Sequence, residues 1–186
     1  MAEVIDDGDT GSHTYALTND AGGVFQINPT TGEISLVSDL DLGTGYSGSV
    51  TIRVTDQNGA TYDETLDIVL GAGSAHDAIA GSNTESIVYG LDGDDTITGG
   101  SADDGLYGGA GADHLDGAAG DDVILGGAGG DTVHYQGQHS DFVISYDAGT
   151  GSYTITDTDT ADGLDEGSDT VSGVETFVFD GVSYDV

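Results

Sequence analysis

The sequence predicts a nearly all-β protein whose central element is a parallel β-roll. First, a nine-residue pattern, G-G-x-G-x-D-x-U-x with U a large aliphatic residue, recurs seven times in one register from Ala72 to His134. Second, Gly, Thr, Val and Asp dominate the composition, whereas strong helix formers are sparse. Third, the segments on either side of the repeats alternate apolar and polar residues, as half-buried strands do. These observations predict a β-sandwich over 1–70, the β-roll over 71–134 and a β cap over 135–186.

The amino-terminal segment consists of short alternating strands separated by turns. A turn is predicted at Asn28–Gly32, because its proline presets φ and its glycine accepts a positive φ, and a hairpin turn is predicted at Asp56–Gly59. Val50, Ile52 and Val54 share one face of a strand, which is typical of a half-buried sheet in a sandwich. The predicted strands are His13–Leu17, Val24–Ile27, Glu33–Leu36, Ser49–Thr55 and Thr61–Leu70.

Each repeat is predicted to form a six-residue glycine-rich loop followed by a three-residue strand, x-U-x. Strand alternation points each U residue inward. These residues are Ile79, Val88, Ile97, Leu106, Leu115, Ile124 and Val133. Two repeats complete one turn of the coil, so loops on the same edge recur every 18 residues. One edge then carries Asp77, Asp95, Asp113 and Asp131, and the other carries Ser86, Asp104 and Asp122.

This stacking of carboxylates requires cations. The chain has 35 acidic residues, one basic residue and a formal net charge of −34, so salt bridges within the chain cannot neutralise it. Calcium takes about six to eight oxygen ligands from carboxylates and backbone carbonyls, and glycine loops can turn their carbonyls towards one point. The sequence therefore predicts several bound calcium ions that are part of the fold, with the roll unfolded at low cytosolic calcium and folded after export.

Composition and motifs exclude several functions. The charge disfavours nucleic acid and anionic membranes as partners, and no segment approaches the roughly 20 apolar residues of a membrane helix. The start of the sequence has no conventional signal peptide, and the absence of Cys excludes thiol chemistry. No zinc-protease, nucleophile-elbow or phosphate-loop motif occurs. We therefore expect no catalytic site.

Two stretches of the amino-terminal segment, FQINPTTGEISLVSDLDL and SVTIRVTDQNGATYDETLDIVL, resemble a bacterial cadherin-like domain over most of residues 4–70. The family carries Leu-Asp-x-Glu after the TG turn, whereas Leu40-Asp41-Leu42 precedes Gly43 here, which argues against an inter-domain calcium site. The match begins near the second strand of the family fold. Either the sequence is a piece cut within this domain, or a neighbouring chain supplies the missing edge strand.

The repeats, followed by SDFVISYDAGTGSYTITDTD and GSDTVSGVETFVFDG, resemble the hemolysin-type (RTX) proteins, in which a cap follows the repeats and which are exported by type I secretion. The resemblance implies that carbonyls of loop positions one and three join the Asp of one loop, and carbonyls of positions two and four join the Asp of the loop 18 residues later. It thus implies three sites. One combines Gly90, Asp92 and Asp95 with Gly109, Gly111 and Asp113; one combines Gly108, Ala110 and Asp113 with Gly127, Gly129 and Asp131; and one combines Gly99, Ser101 and Asp104 with Ala118, Gly120 and Asp122.

The ends of the two edges are less regular. A further site between Asp77 and Asp95 is consistent with the same pattern. A site between Ser86 and Asp104 lacks one carboxylate and is expected to be weak or empty unless Glu85 contributes.

Taken together, the resemblances imply a secreted calcium-binding structural or adhesive protein, such as an adhesin, a surface-layer component or a matrix fibre. Its expected partners are calcium and either further copies of itself or a cell-surface molecule. The alternative is the non-catalytic C-terminal secretion and folding module of a larger exoenzyme or toxin. A self-contained enzyme is the third class, and no group of residues in the sequence supports it.

Overall fold

The computed structural model describes residues 13–37, 45–159 and 165–186. These residues fall into two compact units, the first with 13–37 and 48–66 and the second with 45–47, 67–159 and 165–186. Apart from a short 3-10 helix at His139–Asp141, their regular structure is all β. No helix in the described ranges has the length and apolar character needed to cross a membrane.

The first unit is built from strands close to those predicted. They are β1 (Thr14–Asn19), β2 (Phe25–Ile27), β3 (Ile34–Leu36), β4 (Tyr46–Thr55) and β5 (Thr61–Leu70), of which β4 begins and β5 ends in the second unit. Strand β1 pairs antiparallel with β4, and β2 pairs antiparallel with β3 across the predicted turn. Val50, Ile52 and Val54 are buried on one face as expected. On the exposed face Arg53 forms a bidentate pair with Asp63, whose two N–O distances are 2.6 Å.

The second unit contains the predicted coil, formed by two parallel sheets. From Asp67 onward β5 pairs with β7 (Ser86–Asp92), followed across that sheet by β9 (Gly105–Ala110) and β11 (Val123–Ala128). The other sheet contains β6 (Ala78–Ala80), β8 (Thr96–Gly100), β10 (His114–Ala118) and β12 (Thr132–Tyr135). The U residues pair with one another 18 positions apart. Six of the seven are 0% exposed, and Ile79 at the amino-terminal strand is half-buried.

The carboxyl-terminal segment differs from a cap that merely covers the roll. Strands β15 (Ser168–Ser172) and β16 (Thr176–Phe179) continue the two parallel sheets by one further strand each. The hairpin β13 (Phe142–Asp147) and β14 (Ser152–Asp157) then closes one sheet, because β14 pairs antiparallel with β15, and β17 (Val182–Asp185) closes the other in the same way. Aromatic rings fill the end of the coil, with Tyr135 stacked on Phe179.

Candidate calcium sites

The repeat aspartates form two ladders along the edges of the coil. Asp95, Asp113 and Asp131 lie on one edge and Asp104 and Asp122 on the other, and all five are at most 3% exposed. In each, Oδ1 accepts the backbone amide of the residue 18 positions earlier, at 2.7–3.0 Å. This bond fixes each carboxylate between two consecutive loops of its edge.

The second oxygen of each carboxylate has no such partner. Within the described residues, Oδ2 of all five aspartates is buried and makes no hydrogen bond. A buried, unpaired carboxylate oxygen is costly, and in native proteins it is satisfied by a donor, a proton or a cation. The ladders therefore have five buried carboxyl oxygen atoms that can bind a cation without breaking an existing bond.

Glycine opens the space next to these oxygens. A Cβ added to Gly90 would lie 2.5 Å from the carbonyl oxygen of Gly108, and one added to Gly108 would lie 2.6 Å from that of Gly126. In both cases the unpartnered Oδ2 of the same loop, in Asp95 or Asp113, lies closer still. A carboxylate oxygen and a carbonyl oxygen of the next loop thus converge on one space, and they are the ligand types that calcium prefers.

The loop backbone at positions two and four explains the glycines there. Gly109, Gly127, Gly111, Gly120 and Gly129 all have positive φ. A Cβ at any of them would collide with a carbonyl oxygen of the preceding loop on the same edge. Two residues other than glycine at position two also have positive φ: Leu91 at 82° and Ala118 at 64°.

The predicted position-three residues are exposed, and their backbones hold neighbouring loops together. The Ala110 carbonyl accepts the Gly93 amide at 2.8 Å, and the Asp92 amide donates to the Gly73 carbonyl at 3.0 Å. Ser101 donates through its hydroxyl to Asn83 at 3.3 Å. The carbonyl ligands at this position stay a prediction from the resemblance.

Electrostatics point to the same need for positive charge. Burial raises the pKa of Asp104 to about 6 and that of Asp122 to about 8, although the amides they accept act in the opposite direction. Burial likewise raises the pKa of Asp95, Asp113 and Asp131. Without a metal the ladders therefore hold protons more tightly than free carboxylates do. A divalent cation removes the same penalty while the carboxylates remain ionised.

The two amino-terminal ends of the ladders differ from their interiors. Asp77 is half-buried, and its Oδ2 accepts the Ala72 amide at 2.6 Å, so this oxygen is already bonded. On the other edge the Ser86 hydroxyl accepts the Ser82 amide at 3.1 Å and donates to the Thr84 carbonyl at 2.9 Å. A hydroxyl group thus stands where the other loops have a carboxylate, and weak or absent calcium binding at this position stays a prediction.

The sequence analysis did not identify two acidic residues that continue the ladders into the cap. Asp169 Oδ1 accepts the Asp122 amide at 2.9 Å, and Glu175 Oε2 accepts the Asp131 amide at 2.8 Å. The signal was present as two shortened repeats, GSDTVS at 167–172 and GVETFV at 173–178. They keep the pattern G-x-[D/E]-x-U-x, except that the aromatic Phe177 replaces the aliphatic U residue in the second. They lie outside the nine-residue register, which is why the periodicity did not reveal them.

No group of three or more His, Cys, Asp or Glu side chains within 13–37, 45–159 and 165–186 is arranged to hold a metal ion. Each candidate site therefore depends on two stacked carboxylates together with backbone carbonyl oxygens.

Comparison with known families supports this assignment. The model of the RTX calcium-binding nonapeptide repeat (4 copies) matches residues 71–106, 80–115 and 99–133. The coil is thus built from RTX repeats, and its cofactor is calcium, bound as several ions. The cadherin-like domain stays a prediction.

Two solved structures are similar to parts of the chain. The crystal structure of human protocadherin-24 EC1-2 has 24% identity and a TM-score of 0.34 over 42% of this chain. That of the extracellular lipase LipA from Serratia marcescens has 18% identity and a TM-score of 0.34 over 66% of this chain. The chain spans 41% of the first protein and 15% of the second. At these TM-scores neither similarity supports an assignment of function. A comparison with curated proteins found no match.

Proposed function

We propose that this chain is a calcium-folded module of a secreted protein and that it serves a structural or adhesive role outside the cell. Calcium acts in it as the trigger and stiffener of the fold and takes no part in a reaction. The expected partners are further copies of the chain or a molecule of a cell surface.

The observation that carries the proposal is the set of buried, unpartnered Oδ2 atoms in a chain of net charge −34. One Arg cannot compensate them, and it already pairs with Asp63. At neutral pH the coil therefore depends on abundant calcium for its stability. Extracellular calcium modules work at about 10⁻⁴–10⁻³ M, far above the range of cytosolic sensors, so a ladder of this kind suits export in an unfolded state.

A structural role is supported by how the buried acids are used. Asp95, Asp104, Asp113, Asp122 and Asp131 are all ladder residues whose Oδ1 atoms bind backbone amides. Carboxylates fixed in this way stabilise loops, whereas a catalytic acid or base must reach a proton on a substrate.

The test is circular dichroism and light scattering of the full chain in calcium and in EGTA, with magnesium as the control ion. Magnesium is smaller and demands near-octahedral geometry, so we expect β-structure to form in calcium and not in magnesium. Identical spectra in calcium and EGTA would contradict the proposal.

Light scattering distinguishes the roles. Long assemblies formed only in calcium support the structural role, whereas a monomer in both conditions favours the secretion module of a larger exoenzyme. Hydrolytic activity of the chain by itself would contradict both the structural role and the secretion module, and would indicate an enzyme.

A further inference from the structure

The shortened repeat at 167–172 reproduces the bonding of a full calcium loop. The Asp122 amide donates to Asp169 Oδ1 at 2.9 Å, as the Asp104 amide donates to Asp122 Oδ1 at 2.7 Å one turn earlier. The Ser168 amide donates to Asp121 Oδ1 at 2.8 Å, as the Asp121 amide donates to Asp103 Oδ1 at 2.9 Å.

The backbone continues the same ladder. The Thr170 amide donates to the Asp122 carbonyl at 2.8 Å, as the Val123 amide donates to the Asp104 carbonyl at 2.8 Å. Gly167 has a φ of 69°, and a Cβ there would collide with the carbonyl oxygen of Gly120. Residues 167–170 thus occupy the place of the next loop on this edge, although 47 residues separate Asp169 from Asp122.

Asp122 has a buried carboxylate oxygen without a partner at this edge. Asp122 and Asp169 are each 1% exposed, and Asp122 Oδ2 has no hydrogen-bond partner. Glu166, 4% exposed, adds a third buried carboxyl group to this end of the coil, and its Oε1 accepts the Gln136 amide at 2.8 Å.

We infer that Asp122 and Asp169 bind a further calcium ion where the repeats meet the cap. Asp122 belongs to the residues that match the repeat family, whereas Asp169 lies outside them. The inference rests on the proposed function, because it takes stacked carboxylates on one edge as calcium ligands. The ion would join a loop of the coil to a segment that follows the β13–β14 hairpin, and so couple closure of the cap to the calcium concentration.

The opposite edge does not offer the same site. There Glu175 takes the equivalent position and accepts the Asp131 amide, but its side chain is exposed. Of the two continuations, only that of Asp169 places a second buried carboxylate next to an unpartnered one.

The test compares Asp169→Asn with Asp185→Asn in the full chain. Asparagine keeps the oxygen that accepts the Asp122 amide and removes the charge. Asp185 is an exposed acid on β17, and its substitution changes the net charge equally. Equilibrium dialysis against calcium should show one ion fewer per chain for D169N and an unchanged number for D185N. The calcium-dependent spectrum of the coil should persist in both variants.

Anomalous scattering from wild-type crystals grown with strontium gives a second measurement that does not depend on a variant folding. A peak between the carboxylates of Asp122 and Asp169 supports the inference. Equal calcium numbers for D169N and wild type, or peaks between Asp95 and Asp113 with none between Asp122 and Asp169, would overturn it. If the wild-type chain neither binds calcium nor changes its spectrum, the proposed function itself fails.

Discussion

The backbone amide of Asp95 donates to Asp113 Oδ1 at 2.8 Å, while the other oxygen of Asp113 is buried without a partner. The amide of Asp113 in turn donates to Asp131 Oδ1 at 3.0 Å. Asp113 therefore connects two loops of its edge, and it belongs to two of the calcium sites that the resemblance implies there. We expect the loss of its charge to affect two ions at once.

The substitution Asp113→Asn should lower stability in calcium more than Asp77→Asn. Asp77 stands at the end of the ladder, where its Oδ2 already accepts the Ala72 amide, so at most one site depends on it. Each site lost removes about 2.7 kcal/mol at calcium a hundred times its Kd. Thermal melts at fixed calcium measure the difference. Equal loss in the two variants would contradict the shared role of Asp113.

Without calcium, acidification should stabilise the coil. Burial raises the pKa of Asp122 to about 8 and of Asp104 to about 6, above their ordinary values in the unfolded chain. Between about pH 4 and pH 8 the folded state therefore binds more protons, and its stability falls as pH rises through this window. Circular dichroism in EGTA should show β-structure gained from about pH 8 to about pH 5.

In calcium the same acidification should act in the opposite direction, because protons compete with the ion for the carboxylates. The apparent calcium affinity should fall as pH is lowered. For the chain in EGTA, a stability that stays constant or increases as pH rises from about 4 to about 8 would show that the aspartates are not buried as described.

Close stacking of the loops makes Gly111→Ala destabilising. Gly111 has a φ of 143°, and a Cβ there would collide with the carbonyl oxygen of Gly93. The strained backbone alone costs about 1–3 kcal/mol, and separation of the loops adds to it. Gly130→Ala is the matched control, because a Cβ there meets nothing within 4 Å. Urea unfolding in calcium measures both variants, and a neutral G111A would refute the stacking.

Ala118→Gly should raise stability slightly, because Ala118 has a φ of 64° at loop position two. A left-handed residue other than glycine costs about 1–2 kcal/mol of folding free energy. Glycine avoids this cost but loses about 0.5–1 kcal/mol more conformational entropy on folding than alanine, so a small net gain remains. Ala102→Gly, in the preceding loop of the same edge, is the control: Ala102 lacks a positive φ, so only the entropy loss applies. Denaturation in saturating calcium should move the two variants in opposite directions.

The strict periodicity made the inward aliphatic positions and both carboxylate ladders predictable, because each repeat meets the same neighbours. The six inward aliphatic residues from Val88 to Val133 are fully buried. Only Ile79, on the first strand of its sheet, is partly exposed. The carboxyl-terminal closure could not be predicted in the same way. Val171 pairs with Ile124 across an insertion, so a search at a fixed spacing does not connect them.

The hydrogen bonds of the hydroxyl groups around Ser86 could not be predicted from the repeat pattern either. The sequence showed only that a carboxylate was absent there. The structure shows that Ser82 and Thr84 donate to Asp67 Oδ2 at 2.8 and 3.2 Å, which links this loop to β5. Small polar side chains can satisfy one another in many arrangements, and burial decides which one forms.

The hydrogen bonds from Ser82 and Thr84 to Asp67 attach the first loop of one edge to β5, and this attachment needs no metal ion. That loop can consequently form while ions are scarce, and it offers a ready template against which the next turn is laid. In a repeat protein, folding can start at one repeat and propagate to its neighbours. A rising calcium concentration would therefore fold the coil from its amino-terminal end.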